Sequence, residues 1–222
     1  MKKILSFFVL FFPWRLKRFF LINIWKYEIH PKAKIGLSYI YPEHLIMEEG
    51  THIGHFNIGI HLNKIVLKKN SNISRNNWIT GYPIGKGSKH FSHDTERVCE
   101  LILGQESAIT KNHHLDCTNY IHIGDFVTIA GYSSQFLTHS IDIYQSRQDS
   151  HPIIIGDYSF ISTGVKILGG SSLPAYSVLG AGAVLNKSYT EEWKIYGGVP
   201  AKPIKDIPKS AKYFSRNKGF IY

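Results

Sequence analysis

Acidic residues and cysteines are scarce in this chain. Sixteen Asp and Glu stand against 26 Lys and Arg, a formal charge of +10 over 222 residues. Two cysteines, Cys99 and Cys117, lie in unlike contexts. That excludes a disulfide framework and reads as two reduced thiols in a cytoplasmic protein. Zinc-finger spacing and RNP-like motifs are missing, and the basic residues are scattered, which argues against nucleic acid as the partner. The positive charge suits an anionic small molecule or a lipid surface instead. The N-terminal apolar run, Ile4 to Phe12, is too short to span a bilayer. The length fits one domain with appendages and needs no covalent staples.

What is present is a period of six. Ile155, Ile161, Ile167, Leu173, Leu179 and Leu185 fall one hexad apart with no slip. Four positions after each of the first five stands a small or β-branched residue: Ser159, Val165, Ser171, Ser177 and Ala183. With 43% of the chain hydrophobic, six apolar hits in one register have a chance probability of roughly one in a hundred. A period of six is neither helix nor simple strand; it repeats a flat face and a corner. Three faces close a coil of about eighteen residues, and stacked coils make a parallel β-solenoid. The expected fold class is all-β. Sandwich strands would instead recur at 8–12 residues with varying loops.

The segment Ile153 to Lys187, followed by YGGVPAKPIK, resembles the C-terminal half of the hexapeptide-repeat acyltransferases, in particular the sugar O-acetyltransferases and acetyltransferases of surface-polysaccharide loci. The resemblance covers roughly residues 29 to 205. It implies that the coil is left-handed and that three chains assemble as a homotrimer. It also implies acetyl-CoA as co-substrate, no metal, and direct transfer of an acetyl group to a sugar hydroxyl. N-acetylation of an amino sugar, acetylation of an antibiotic, or a β-helix scaffold without catalysis are the alternatives.

The chain divides into a basic, apolar N-terminal segment (1–28), a β-helix (29–188) and a C-terminal segment with a basic tail (189–222). A helix from Trp14 to Trp25 would group Leu16, Phe19, Phe20 and Ile24. Such a helix suits either a membrane interface, contacted through residues 1–25 at the inner face, or a cap on the open end of the solenoid. The sixes begin loosely at Ile29, Ile35, Ile40, Ile46 and Ile53, and return at Leu67, Ile73 and Ile79. They break over residues 82–100, where Pro83, Gly85 and Gly87 mark a loop. His90, His93 and Asp94 in that loop lack a fourth ligand at a recognisable spacing, and the loop reads as solvated. Leu103, Ile109, Leu115 and Ile121 resume the pattern. Ile123 and Ile129 follow two residues out of step, and residues 138–152 break it again. The tail after Lys205 reads as a surface helix or strap.

Acyl transfer to a hydroxyl requires a base near neutrality, and histidine is the natural one. FLTHSID resembles the segment that carries the catalytic histidine of the sugar O-acetyltransferases. It makes His139 the expected general base, with Asp142 as the carboxylate that orients it and Ser140 where the family has proline. His151, in DSHP, is the alternative base. By the same resemblance Asn112, His114 and Asp116 are expected around the acceptor. Asp116 could instead orient the histidine of a neighbouring subunit. Thr163, Ala181, Asn186, Lys187, Lys202 and Lys205 are expected to bind coenzyme A. Gly131 is expected either to let the backbone approach the site or to turn a coil corner.

Overall fold

The computed structural model describes residues 2–85 and 89–221; Gly87 lies outside them. Three parallel sheets of seven, nine and seven strands form the faces of a prism. The register reproduces the hexads: Ile155 lies opposite Leu173, Ile161 opposite Leu179, and Ile167 opposite Leu185, each eighteen residues on. All six residues of that run are at most 1% exposed. The small column is buried with them, because a corner leaves no inner room for more. Its serines donate to carbonyls of the next turn: Ser159 Oγ to Pro174 O at 3.0 Å and Ser171 Oγ to Leu185 O at 3.1 Å.

The early coils are longer. Leu67 lies opposite Leu103, and Leu103 opposite Ile123. Ile121 and Ile123 both face inward, beside Leu101 and Leu103, so the two-residue slip is taken up at a corner and not in a face. Ile46 departs from the expected pattern. It faces partly outward, and its neighbours Leu45 and Met47 fill the interior. Asn70, Asn76 and Asn112 turn corners with positive φ, a conformation asparagine tolerates. At one edge the positive-φ residues are Phe126, Tyr158, Tyr176 and Trp193, whose rings stack at 4.7, 5.3 and 4.7 Å.

The strand Lys194–Gly197 continues the second face opposite Val178–Leu179, so the solenoid runs past residue 188. The chain then reverses into the antiparallel strand Lys202–Asp206. The tail is a strap: Tyr213 donates to Ser159 O, Arg216 lies 3.9 Å over Tyr213, and Gly219 N donates to Glu106.

Two helices, α1 (Lys2–Val9) and α2 (Trp14–Trp25), close the first coil. The capping face is not the expected one. Leu21 and Lys17 are buried, whereas Leu16 and Phe19 are exposed. Lys17 Nζ donates to the carbonyls of Gly36 and Ser38, at 2.8 and 3.1 Å, and burial lowers its pKa to about 8. No helix among the described residues is long and apolar enough to cross a membrane.

Candidate active site

The third face carries the strands Trp78–Thr80, His114–Asp116 and Gln135–Leu137 on consecutive coils. Alternation puts Leu115 and Phe136 inside and Asp116 outside. Immediately beyond Leu137 the chain leaves the prism as an antiparallel hairpin, His139–Asp142 against Arg147–Ser150. His139 thereby starts an excursion at the corner, one coil along from Asp116.

The two side chains meet. His139 Nδ1 lies 2.5 Å from Asp116 Oδ2, and the His139 backbone N–H donates to the same oxygen at 3.2 Å. The second carboxylate oxygen accepts from Thr118 N and Thr118 Oγ1, at 3.1 and 2.7 Å. Burial works against ionising Asp116. Hydrogen bonds from His139 and Thr118 outweigh it and hold the carboxyl below the usual range. The hydrogen bond to Asp116 raises the His139 pKa against the opposing effect of partial burial. With Nδ1 engaged, Nε2 is left for the cavity.

That cavity has a volume of about 280 Å³ and includes Thr80, Tyr82, His90, Phe91, Thr118 and Gln148 in its lining. Phe91 and His90 come from the 82–100 loop, which the sequence reads as solvated. Phe91 is 6% exposed and sets its ring edge-on to His139 at 6.2 Å. Arg97 holds it there. The guanidinium sits 4.5 Å over the Phe91 ring and donates to the carbonyls of Tyr82 and Thr118, at 2.6 and 2.5 Å. Ser150 Oγ donates to Asp94 Oδ2 at 3.0 Å, tying loop to hairpin. Gly81 starts the loop because a Cβ there would meet Cys99 Sγ at 2.7 Å and Cys117 O at 2.8 Å. The signal that could have found this wall is Phe91, the single large apolar residue between Lys89 and Arg97.

Asp142, expected to orient His139, caps the hairpin turn instead. Its Oδ1 accepts from Tyr144 N and Gln145 N, at 2.9 and 3.1 Å, and its Oδ2 lies 3.8 Å from Arg147 Nε. In an antiparallel hairpin it stands three residues out along the strand, beyond reach of the imidazole. His151 pairs with Asp149 at 3.1 Å and is exposed. His114 lies between Trp78 and Gln135 on the outer surface of the third face. Its neighbour His113 is buried, accepts from Ser134 N, bonds Thr110 Oγ1, and is pushed down to about 4 by burial. It is part of a corner ladder with Asn57 and Asn77.

Asn112 lies at that same corner, where the second face turns into the third, and not beside Asp116. There Ser133 N donates to Asn112 O, Gly164 N to Tyr132 O, and Gly182 N to Thr163 O. Thr163 and Ala181 therefore sit on adjacent coils of one edge. Gly131 turns the same corner with φ +71°, and a Cβ on it would meet Thr163 Cβ at 2.4 Å. Gly164 and Gly182 also have positive φ, yet a Cβ on either meets nothing within 4 Å. The edge is open over these two coils. Lys202 stands opposite Gly197 beside it, while Lys205 pairs with Ile195 farther along the strand. Asn186 and Lys187 follow the last third-face strand, Val184–Leu185, at the opposite end of that face, where Lys187 lies over Tyr189 at 5.1 Å.

No family model matches the chain, and no curated protein does. Solved structures do. The polySia-specific acetyltransferase NeuO aligns over 84% of both chains at 20% identity, with a TM-score of 0.50. The fold is that of the hexapeptide-repeat acetyltransferases. It is the left-handed parallel β-helix. A Bacillus cereus protein provisionally assigned as an acetyltransferase aligns over 85% of this chain and 88% of its own, at 17% identity and TM-score 0.50. A hexapeptide-repeat acetyltransferase of Vibrio cholerae O1 biovar eltor, in complex with acetyl coenzyme A, shares 29% identity over 49% of this chain, with TM-score 0.46. The match spans 61% of that Vibrio chain. Among the described residues of the solenoid, no three His, Cys, Asp or Glu side chains converge as a metal site.

Proposed function

We propose that this chain transfers an acetyl group from acetyl-CoA to a hydroxyl of a sugar, with His139 as general base. The observation that carries the reading is the 2.5 Å pair of His139 with a 7%-exposed Asp116 at the floor of a cavity. Asp116 holds Nδ1 protonated and leaves Nε2 as the basic nitrogen. Nε2 removes the acceptor's proton as its oxygen attacks the thioester carbonyl. On collapse, the C–S bond breaks and the imidazolium returns the proton to the departing thiolate. General-base catalysis of this kind contributes about 10²–10⁴ in rate. A lining of Tyr82, Phe91 and hydrogen-bonding side chains suits a pyranose, which offers apolar ring faces and a rim of hydroxyls.

The open edge at Gly164 and Gly182 fits an extended pantetheine arm, since nothing lies within 4 Å of where either Cβ would stand, and Lys202 beside it supplies charge for phosphates. That edge and the His139–Asp116 pair lie at opposite ends of the third face. A site that joins them takes its base from one copy and its coenzyme A lane from another, which supports the homotrimer. The surface polysaccharides of the cell are the proposed destination of the product, and the cytoplasm its place of synthesis.

The test is transfer from acetyl-CoA to a panel of nucleotide sugars and glycans by the wild type and His139→Ala. Transfer lost in the mutant, with coenzyme A binding retained, supports the reading. Absence of coenzyme A binding by the wild type overturns it and leaves a β-helix scaffold.

A further inference from the structure

Residues 1–27 contain six Lys and Arg and no Asp or Glu. In the structure this segment forms α1 and α2, and each helix has an inward face that is fully accounted for. Ser6 and Val9 of α1 are buried, with Ser6 Oγ 2.7 Å from Tyr39 OH and Tyr41 OH donating to Ser6 O. Leu21 and Lys17 of α2 cap the first coil, and Arg18 Nη2 donates to Ile29 O at 2.7 Å. The outward side is apolar: Ile4, Phe7, Phe8, Phe11, Leu16 and Phe19 are each 44–68% exposed. Phe7 packs edge-on to Phe8 and Phe11, and Phe19 to Phe20, so the rings form clusters on the surface. Lys2, Lys3, Arg15 and Lys26 are solvent-exposed as well, with Lys2 and Lys3 at the rim of a cavity that Tyr39, Tyr41 and His61 also line.

We infer that this side of the helix pair docks in the interface of an anionic lipid bilayer. A soluble cap needs one apolar face, and this segment has that face already filled. A second apolar surface carrying six large side chains, on a segment with exposed cations and no acid, is the composition that partitions into headgroups. The cations add attraction for anionic lipid, while the absence of acids removes the repulsion such a surface would exert. A second copy is a poorer occupant, because it would bring the same positive charge to the contact. Asp116 and His139 lie three to four coils above the first one, roughly 15–20 Å at the spacing of paired strands. An acceptor held at the membrane by a lipid and a short spacer reaches that height.

The experiment is sedimentation of the full chain with vesicles of phosphatidylcholine alone or with about one-third phosphatidylglycerol, a content that gives a strongly negative surface. Neither acceptor nor coenzyme A is present, so the result is independent of the acetyl-transfer reading. Binding to the anionic vesicles, weakened at least tenfold by Phe7→Ser/Phe11→Ser/Phe19→Ser, is expected. Lys2→Gln/Lys3→Gln/Arg15→Gln should bring anionic binding down to the level on neutral vesicles. All six positions are exposed, so circular dichroism should be unchanged. No binding by the wild type, or equal binding by the serine variant, overturns the inference. So does light scattering that shows the wild type self-associating through this face, reversed by the serines, without vesicle binding.

Discussion

The coils between Ile153 and Leu185 and those between Lys64 and Ser150 share three faces and one interior, yet differ in what their corners do. In the later set each coil takes eighteen residues, and its corners release no excursion. In the earlier set the third corner releases two excursions, the 82–100 loop and the 139–150 hairpin, and the His–Asp pair forms where they meet. The strands on either side of each excursion stay in register: Leu67 opposite Leu103, and Ile123 opposite Ile155. Residues added at a corner leave the interior stack untouched, because loop closure grows only slowly with length. The repeat supplies rigidity, and the interruptions supply the site.

That contrast can be broken most sharply at His139. Replacing it with alanine should lower acetyl transfer by about 10²–10⁴ and leave the melting temperature nearly unchanged, since the side chain is 45% exposed. The converse substitution is Ile167→Ala in the regular run. It should cost about 2–5 kcal/mol in urea unfolding, because a fully buried chain leaves a cavity. Ile141→Ala on the hairpin, 62% exposed, should stay within about 0.5 kcal/mol.

Asp116→Asn tests the pairing itself. We expect a loss of roughly one to two orders of magnitude, and a shift in pH dependence. The carboxylate raises the His139 pKa above the ordinary 6.5, so activity in the wild type should climb with pH through a value above it, as the imidazole loses its proton. Without that charge the limb should move to lower pH. A profile that does not move would deny Asp116 its role.

Gly182→Asn sharpens the view of the open edge. Asparagine tolerates the positive φ, and its Cβ would meet nothing. The fold should persist while the KM for acetyl-CoA rises several-fold. The smallest effect is expected at His151→Ala: less than about twofold in kcat/KM, since its imidazole pairs with Asp149 on the hairpin and is solvent-exposed.

The regular coils were legible because each hexad is read against its own neighbour. An aliphatic every six residues and a small residue four later have one solution, a three-sided stack, and Ile155 to Leu185 occupies it without exception. His139 was singled out through the family resemblance of FLTHSID, and it lines the cavity of the third face. Its partner was legible only in part: Asp142 was expected beside it and Asp116 at the acceptor or beside a neighbouring subunit's histidine, whereas Asp116 meets His139 of its own chain, one coil below on the same face. Stacking makes residues about twenty apart adjacent, and nothing in linear distance reveals which of them points outward at the same corner. The wall of the cavity was hidden for the same reason. Phe91 and Arg97 look like parts of a solvated loop until the loop folds back over the third face and the guanidinium closes on the ring. The N-terminal helices show the limit from the other side. Composition predicted an amphipathic segment, but only packing decided that Lys17 and Leu21 face the solenoid and that the phenylalanines face out. A helix with apolar residues all round has no preferred face until a neighbour supplies carbonyls for its lysine.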